Sequence, residues 1–311
     1  MQKMTGGCTM WNRRTFIKTV AAGGLGFAAM PQMVLAGNNT QRLLILHTND
    51  IHCRFEPFPE TDPKYAGKGG LNRISAYVKA MRQRNPDLLL FDCGDFSQGT
   101  PYFNFFKSEV VLKLMSEMKY DAGTIGNHEF DNGLQGMHEG FGFANYPLVS
   151  SNYDFSDTIM AGRIKENLVL ERNGVRIGIY GLGVGLSGLV DPLKSGATKY
   201  LDPLETALNQ EYFLKKEMKC DLVFCLSHLG YEYASDLISD KVLAAKTHLT
   251  DLILGGHTHS FLDKPVDIQN ASGKHVIVNQ AGWAALALGK IELLVEKERR
   301  SFFDLTANKK V

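Results

Sequence analysis

Cysteine is scarce in this chain, with five among 311 residues: Cys8, Cys53, Cys93, Cys220 and Cys225. No two stand in C-x-x-C spacing, which excludes a zinc ribbon built on that pattern. The last four read as small buried residues, and a disulfide among them is left open because sequence cannot choose a pair. An excess of one charge is also missing: 34 Lys and Arg oppose 33 Asp and Glu, for a formal net charge of +1. That balance excludes a basic groove for a nucleic-acid polymer. The apolar run from Val20 to Ala29 is too short and too glycine-rich for a stable membrane anchor. The glycine-rich stretch Gly181 to Gly188 lacks the lysine of a phosphate-binding P-loop and reads as a flexible turn.

What is present begins with a leader. Lys3, Arg13, Arg14 and Lys18 are the only charges in residues 1–36, and without these four cations the formal charge goes from +1 to −3. Asn12-Arg13-Arg14-Thr15-Phe16-Ile17-Lys18, the apolar run and the small residues around Val34-Leu35-Ala36 have the order of a twin-arginine export signal. The expectation is a signal peptide over 1–36, delivery to the periplasm, a folded domain over 42–298 and a charged tail over 299–311 that frays from about Glu296. A chain 44% hydrophobic has ample material for a large α/β core.

Apolar runs of strand length recur: Leu43–Leu46, Leu88–Phe91, Tyr146–Ser151, Leu222–Leu226, Leu252–Leu254, Val276–Asn279 and Leu286–Val295. Between them, helices are expected over Leu71–Arg84, Ser108–Met118 and Asp202–Met218. Leu71, Ile74, Val78 and Met81 give the first a stripe near helical spacing, and Pro86 terminates it. Asn173-Gly174, between Ile164–Leu170 and Val175–Leu182, is a hairpin signal, so the sheets are mixed.

Polar residues punctuate the strand ends. Asp50 and His52 stand two apart and would share a face if extended, forming half of a metal site. Asp95 follows a glycine and has two oxygens to share between two cations. Its rival, Asp92, fits strand better. Asn127 offers a neutral carbonyl oxygen, His128 can hold a proton, and Asp131 can fix its tautomer. Taken alone, that Asn-His-Glu turn could equally be a helix cap with a solvated histidine. Ser227-His228 and His257-Thr258-His259 end two further strands. His47 reads as a core histidine, and His138, His248 and His275 as surface residues.

The series D-x-H, G-D, G-N-H-E, S-H and G-H-T-H resembles the calcineurin-like metallophosphoesterase family. Leu46 through Asp50, Gln98 through Asn104, Gly126 through Asp131 and Asn279 through Gly282 narrow the likeness to the catalytic domain of 5′-nucleotidases and UDP-sugar hydrolases. The resemblance covers about Leu43 to Val295. It implies a four-layer α/β fold, two packed mixed β-sheets flanked by helices. It implies one divalent ion on Asp50, His52, Asp95 and His259, and a second on Asp95, Asn127, His228 and His257. His128 and Asp131 match the family's catalytic dyad. Zn, Mn, Co and Fe are all admissible for such ligands. The implied activity is release of phosphate from nucleotides. Alternatives are a cyclic-nucleotide or UDP-sugar phosphodiesterase, a thiosulfohydrolase-like enzyme, or a metal-binding scaffold without catalysis. Full-length relatives carry a second domain that holds the base. It is not found before Val311, so a separate polypeptide is expected to supply it.

Overall fold

A computed structural model of the chain describes residues 40–296 and 308–310. The expected export signal and most of the expected tail lie outside the described residues. The strands, in chain order, are β1 (Thr40–Thr48), β2 (Leu89–Asp92), β3 (Ala122–Gly123), β4 (Tyr153–Asp154), β5 (Asn167–Arg172), β6 (Val175–Gly183), β7 (Lys199–Tyr200), β8 (Leu222–His228), β9 (Leu252–Gly255), β10 (Val266–Gln269), β11 (His275–Gln280), β12 (Ala287–Glu296) and β13 (Lys309–Lys310). β4 and β7 pair as a small two-stranded sheet; of the two large sheets, one has the order β13-β12-β1-β2-β3 and the other β10-β11-β9-β8-β6-β5. Both are mixed: β1, β2 and β3 run parallel while β12 lies antiparallel to β1. In the second sheet β6, β8, β9 and β11 run parallel, with β5 and β10 antiparallel at the edges.

The four-layer architecture follows from strands that are apolar on both faces. In β1, Leu43 and Ile45 point toward the other sheet and, with Phe91 and Ile291 of their own sheet, join Ile177, Phe224 and Leu252 of the facing one in a single core. Leu44 and Leu46 point the opposite way, against Leu71, Ile74 and Val78 of the helix Leu71–Arg84 and Val111 and Met115 of the helix Glu109–Glu117. Across the second sheet, Tyr180, Val223, Cys225 and Ile253 face Ala207, Leu243 and Ala244 of the outer helices. Each fully buried Leu or Ile contributes roughly 1.5–3 kcal/mol relative to exposure. The hairpin forms as expected, with Asn173 at φ 53° and Gly174 at φ 70°, the left-handed pair that a two-residue turn needs.

Three local expectations are corrected, and the cysteine reading holds. Tyr146–Ser151 makes isolated bridges at Leu148 and Val149 instead of a strand, because its neighbours supply no continuous ladder. Gly181 and Gly183 lie inside β6. A Cβ on Gly183 would sit 2.2 Å from the Tyr153 ring, so these glycines permit close packing and are not a flexible turn. Cys53, Cys93, Cys220 and Cys225 are buried as expected, and all four are free thiols, with no disulfide among them. Lys309–Lys310, expected to fray, pairs with Ala287–Leu288 as β13.

Candidate metal centre

The parallel strands deliver their polar ends to one edge, the usual place for a site on such sheets. β1 leads to Asp50 and His52, β2 to Asp95, β3 to Asn127 and His128, β8 ends at His228, and β9 leads to His257 and His259. The expected alternation of Asp50 with His52, and of His257 with His259, is not what aims these side chains. Asp50, His52, Asp95, His257 and His259 have φ between 51° and 76°, so left-handed turns beyond the strands aim them. Such backbone is costly for residues other than glycine and concentrates at functional sites.

Two clusters result. Asp50, His52 and His259 bring one ligand atom each within 4.8 Å of one another, and Asp95, His228 and His257 do the same. In the first, His259 Nε2 is 3.3 Å and His52 Nε2 is 4.0 Å from Asp50 Oδ1, while the two imidazole nitrogens lie 3.1 Å apart. In the second, His228 Nε2 is 2.9 Å from Asp95 Oδ2. Asp50 Oδ1 lies 4.0 Å from His228 Nε2, which links the clusters.

The donor set fits cations. Asn127 Oδ1 is buried without a hydrogen-bond partner, which is expensive unless something else occupies it, and His228 Nε2 has only the Asp95 carboxylate beside it, at 2.9 Å. His228 Nδ1 donates to the carbonyl of Cys93 at 2.6 Å, leaving Nε2 to face the cluster. Burial opposes charge on His228, yet Asp95 beside it raises its pKa to about 10. Burial would likewise raise Asp95, but His228, His52 and His128 hold it below the ordinary carboxylate value. The pair therefore attracts one positive charge, which a proton or a metal ion can provide. Burial lowers His52, and lowers His257 to about 4, which keeps their lone pairs free.

His128 and Asp131 stand in the short helical turn His128–Asn132. His128 Nδ1 is 2.7 Å from Asp131 Oδ2, and its ring lies edge-on to His52, centroids 5.2 Å apart. The hydrogen bond to Asp131 outweighs burial and raises His128 to about 8. The helix-cap reading of this turn finds no support: no side-chain cap bond is made there.

Several supporting residues escaped the sequence. Glu129 is buried and accepts hydrogen bonds from the amides of Asp95, Ser97 and Gly126. Its only signal was its place in the Asn-His-Glu turn. Asn49 donates to Asp50 Oδ2 and to Gly282 O, both at 2.6 Å, and accepts from Ala281 N. Gln280 accepts from Ser260 N and donates to Gly256 O, clamping the turn that carries His257 and His259. Glycine is required where backbones meet: a Cβ on Gly126 would fall 2.2 Å from Asp95 Oδ1 and 2.6 Å from His228 Nε2. His47 is buried as expected, and His248 and His275 are exposed. A groove of about 640 Å³ beside Phe55, Tyr102 and Phe143 holds none of the candidate ligands.

A doubly clustered set of histidines, carboxylates and an asparagine at the strand ends of a four-layer fold defines a metallophosphoesterase. The family model for calcineurin-like phosphoesterases matches residues 43–261, and the chain belongs to that family. Together, the family and the two clusters point to a dinuclear metal site.

Within the family, the chain is similar to 5′-nucleotidases. It is 32% identical over 248 residues to 5′-nucleotidase of Homo sapiens, covering 76% of this chain and 42% of that protein. It is 33% identical over 271 residues to an apyrase of Tabanus yao, covering 81% and 48%. A solved 5′-nucleotidase precursor from Thermus thermophilus superposes with a TM-score of 0.75 at 29% identity, covering 87% of this chain and 54% of that one. The chain thus spans about half the length of the curated relatives it matches.

Proposed function

We propose that the chain is an exported phosphoester hydrolase of the 5′-nucleotidase type, releasing phosphate from nucleotides with two divalent cations. The observation that carries this reading is the meeting of the two ligand clusters beside the His128–Asp131 pair. Asp50, His52, Asp95 and His259 would hold one cation, and Asp95, Asn127, His228 and His257 the other, with Asp95 shared. When bound, the cations supply Lewis acidity that activates water near neutral pH and offsets charge on a phosphoryl group.

The chain's own contribution is positioning and proton control. Asp131 occupies His128 Nδ1, so Nε2 is the donor left for a phosphoryl oxygen. The same hydrogen bond keeps His128 charged to about pH 8, which suits a donor to developing negative charge. Mixed nitrogen and oxygen ligands admit Zn, Mn, Co or Fe.

The catalytic domain in this reading is 42–298, behind a twin-arginine signal over 1–36 that directs the protein to the periplasm. Among the described residues, no helix is long and apolar enough to cross a membrane. A separate polypeptide that completes the substrate surface is part of the proposal. Co-purification with the tagged native protein tests it, and full nucleotidase activity from a lone monomer overturns it.

The function itself is tested by phosphate release from 5′-AMP with added Mn²⁺ or Zn²⁺, which a chelator should abolish. A panel with cyclic nucleotides, UDP-sugars and thiosulfonate esters separates the related chemistries. Metal-loaded protein that cleaves none of these overturns the hydrolase reading.

A further inference from the structure

Trp283 belongs to no ligand set, yet it is built against one. Its ring lies parallel to the imidazole of His259, with an interplanar angle of 2° and centroids 5.2 Å apart, and edge-on to His52 at 6.4 Å. Phe58 and Tyr65 approach it edge-on from elsewhere, at 5.9 and 6.1 Å. With Ala284 and Leu286 they form a small apolar cluster separate from the main cores.

The loop that carries Trp283 is strained and tethered to the same cluster. Gly282, Ala284 and Ala285 have φ of 74°, 52° and 54°. Ala284 N donates to the carbonyl of Asp50 at 2.7 Å, and Asn49 bridges Gly282 O to Asp50 Oδ2. A left-handed alanine pair persists only where the surroundings impose it, and here both ties run to the Asp50 segment.

His259 needs such support. Histidines that hold metals are normally oriented by a hydrogen bond from the second ring nitrogen. His228 has the Cys93 carbonyl at 2.6 Å, and His52 has the Ser97 carbonyl at 3.3 Å. Among the described residues, His259 Nδ1 makes no such bond, and 39% of its side chain is exposed. An aromatic face is the remaining means of holding a planar ring.

We infer that Trp283 is a positioning residue for the Asp50–His52–His259 cation, acting through the face of His259. The inference rests on the two-cation reading above. It predicts an asymmetry: loss of Trp283 weakens one cation site and spares the Asp95–His228–His257 site. It also places one of only two tryptophans in the chain beside that cation.

The test is Mn²⁺ titration of the whole protein by calorimetry, with Trp283→Ala and Trp283→Phe compared with wild type. In a Trp11→Phe background, emission from Trp283 is followed in parallel. Expected is two-site binding in wild type and roughly 10-fold or greater weakening of one site in Trp283→Ala, the scale for an orienting partner of a ligand. Trp283→Phe should recover most of the affinity, and Trp283 emission should change with occupancy of a single site. Wild-type affinities at both sites in Trp283→Ala would overturn the inference alone. So would equal weakening of both sites, or emission indifferent to Mn²⁺. Wild-type protein that binds no Mn²⁺ would overturn it together with the two-cation reading.

Discussion

Glu129 Oε2 accepts a hydrogen bond from the backbone amide of Asp95 at 2.9 Å, across 34 positions of sequence. The same oxygen takes the amide of Gly126 at 2.6 Å, and Oε1 takes that of Ser97 at 3.0 Å. One buried carboxylate thus joins the loop after β2 to the turn after β3. Glu129→Gln would set an amide NH₂ against at least one of these N–H groups. Expected is destabilisation of about 1–3 kcal/mol, the range for an unsatisfied buried polar group. Urea unfolding of the metal-loaded protein measures it, and a change under about 0.5 kcal/mol, below that range, would contradict the tethering role.

His128 and Asp131 should separate metal binding from turnover. His128→Ala removes a donor and no proposed ligand, so metal content should hold while phosphate release falls by about 10²-fold or more. Asp131→Asn should lower turnover less, since the imidazole remains but loses the carboxylate that orients and charges it. Metal analysis beside initial rates on 5′-AMP checks both, and unchanged turnover in metal-loaded His128→Ala would remove His128 from the mechanism.

His47 sets a pH dependence of stability remote from catalysis. It is fully buried, Nε2 lies 2.9 Å from Asn279 Nδ2, and burial lowers its pKa to about 3. The native state therefore binds fewer protons than the unfolded one between pH 3 and the ordinary value of 6.5. Its contribution is intact above pH 6.5 and is lost as the pH falls below it. From about pH 7 to about pH 5 the loss is about 2 kcal/mol. Comparing the pH slope of urea unfolding in wild type and His47→Leu isolates this share, which the variant should lack.

Asn308 should act as a clasp. Its side chain pairs with that of buried Asn279 through bonds of 2.7 and 3.0 Å and also donates to Leu262 O at 2.6 Å. Asn308→Ala leaves the Asn279 amide short of partners inside the fold, for an expected loss of about 1–3 kcal/mol. Thermal unfolding reads the loss, and an unchanged midpoint would show that the Asn308 side chain contributes nothing.

Metal removal should lower the melting temperature. The clusters place carboxylates and imidazoles within 4.8 Å of one another. A ligand that binds only the folded state adds about 2.7 kcal/mol at a concentration roughly 100 times its Kd. Differential scanning fluorimetry with chelator, then with graded Mn²⁺, should show a fall and a dose-dependent recovery. A midpoint indifferent to both would argue against cation binding.

Much of the fold was legible because burial on both faces leaves a continuous apolar run, as in Leu43–Leu46 and Leu222–Leu226. The hairpin at Asn173-Gly174 was legible because few residues accept left-handed backbone at two consecutive positions. Tyr146–Ser151 misled because an apolar run forms a strand only when a partner ladder exists, and pairing is not a local property. Lys309–Lys310 misled in the opposite sense, since charge says nothing of an edge that Ala287 and Leu288 leave open.

The amino-acid sequence by itself determined which chemistry was present: seven candidate ligands and a His–Asp pair, each next to an apolar run that would carry it to a sheet edge. Tertiary structure alone decided how these converge. Left-handed turns at Asp50, Asp95 and His257, and not strand alternation, aim the side chains, because only packing against distant segments can hold such strained backbone. It also chose the supports, Glu129, Asn49, Gln280 and Trp283, whose partners include residues far away in the chain, brought close by strand pairing within each sheet and by the stacking of the two sheets.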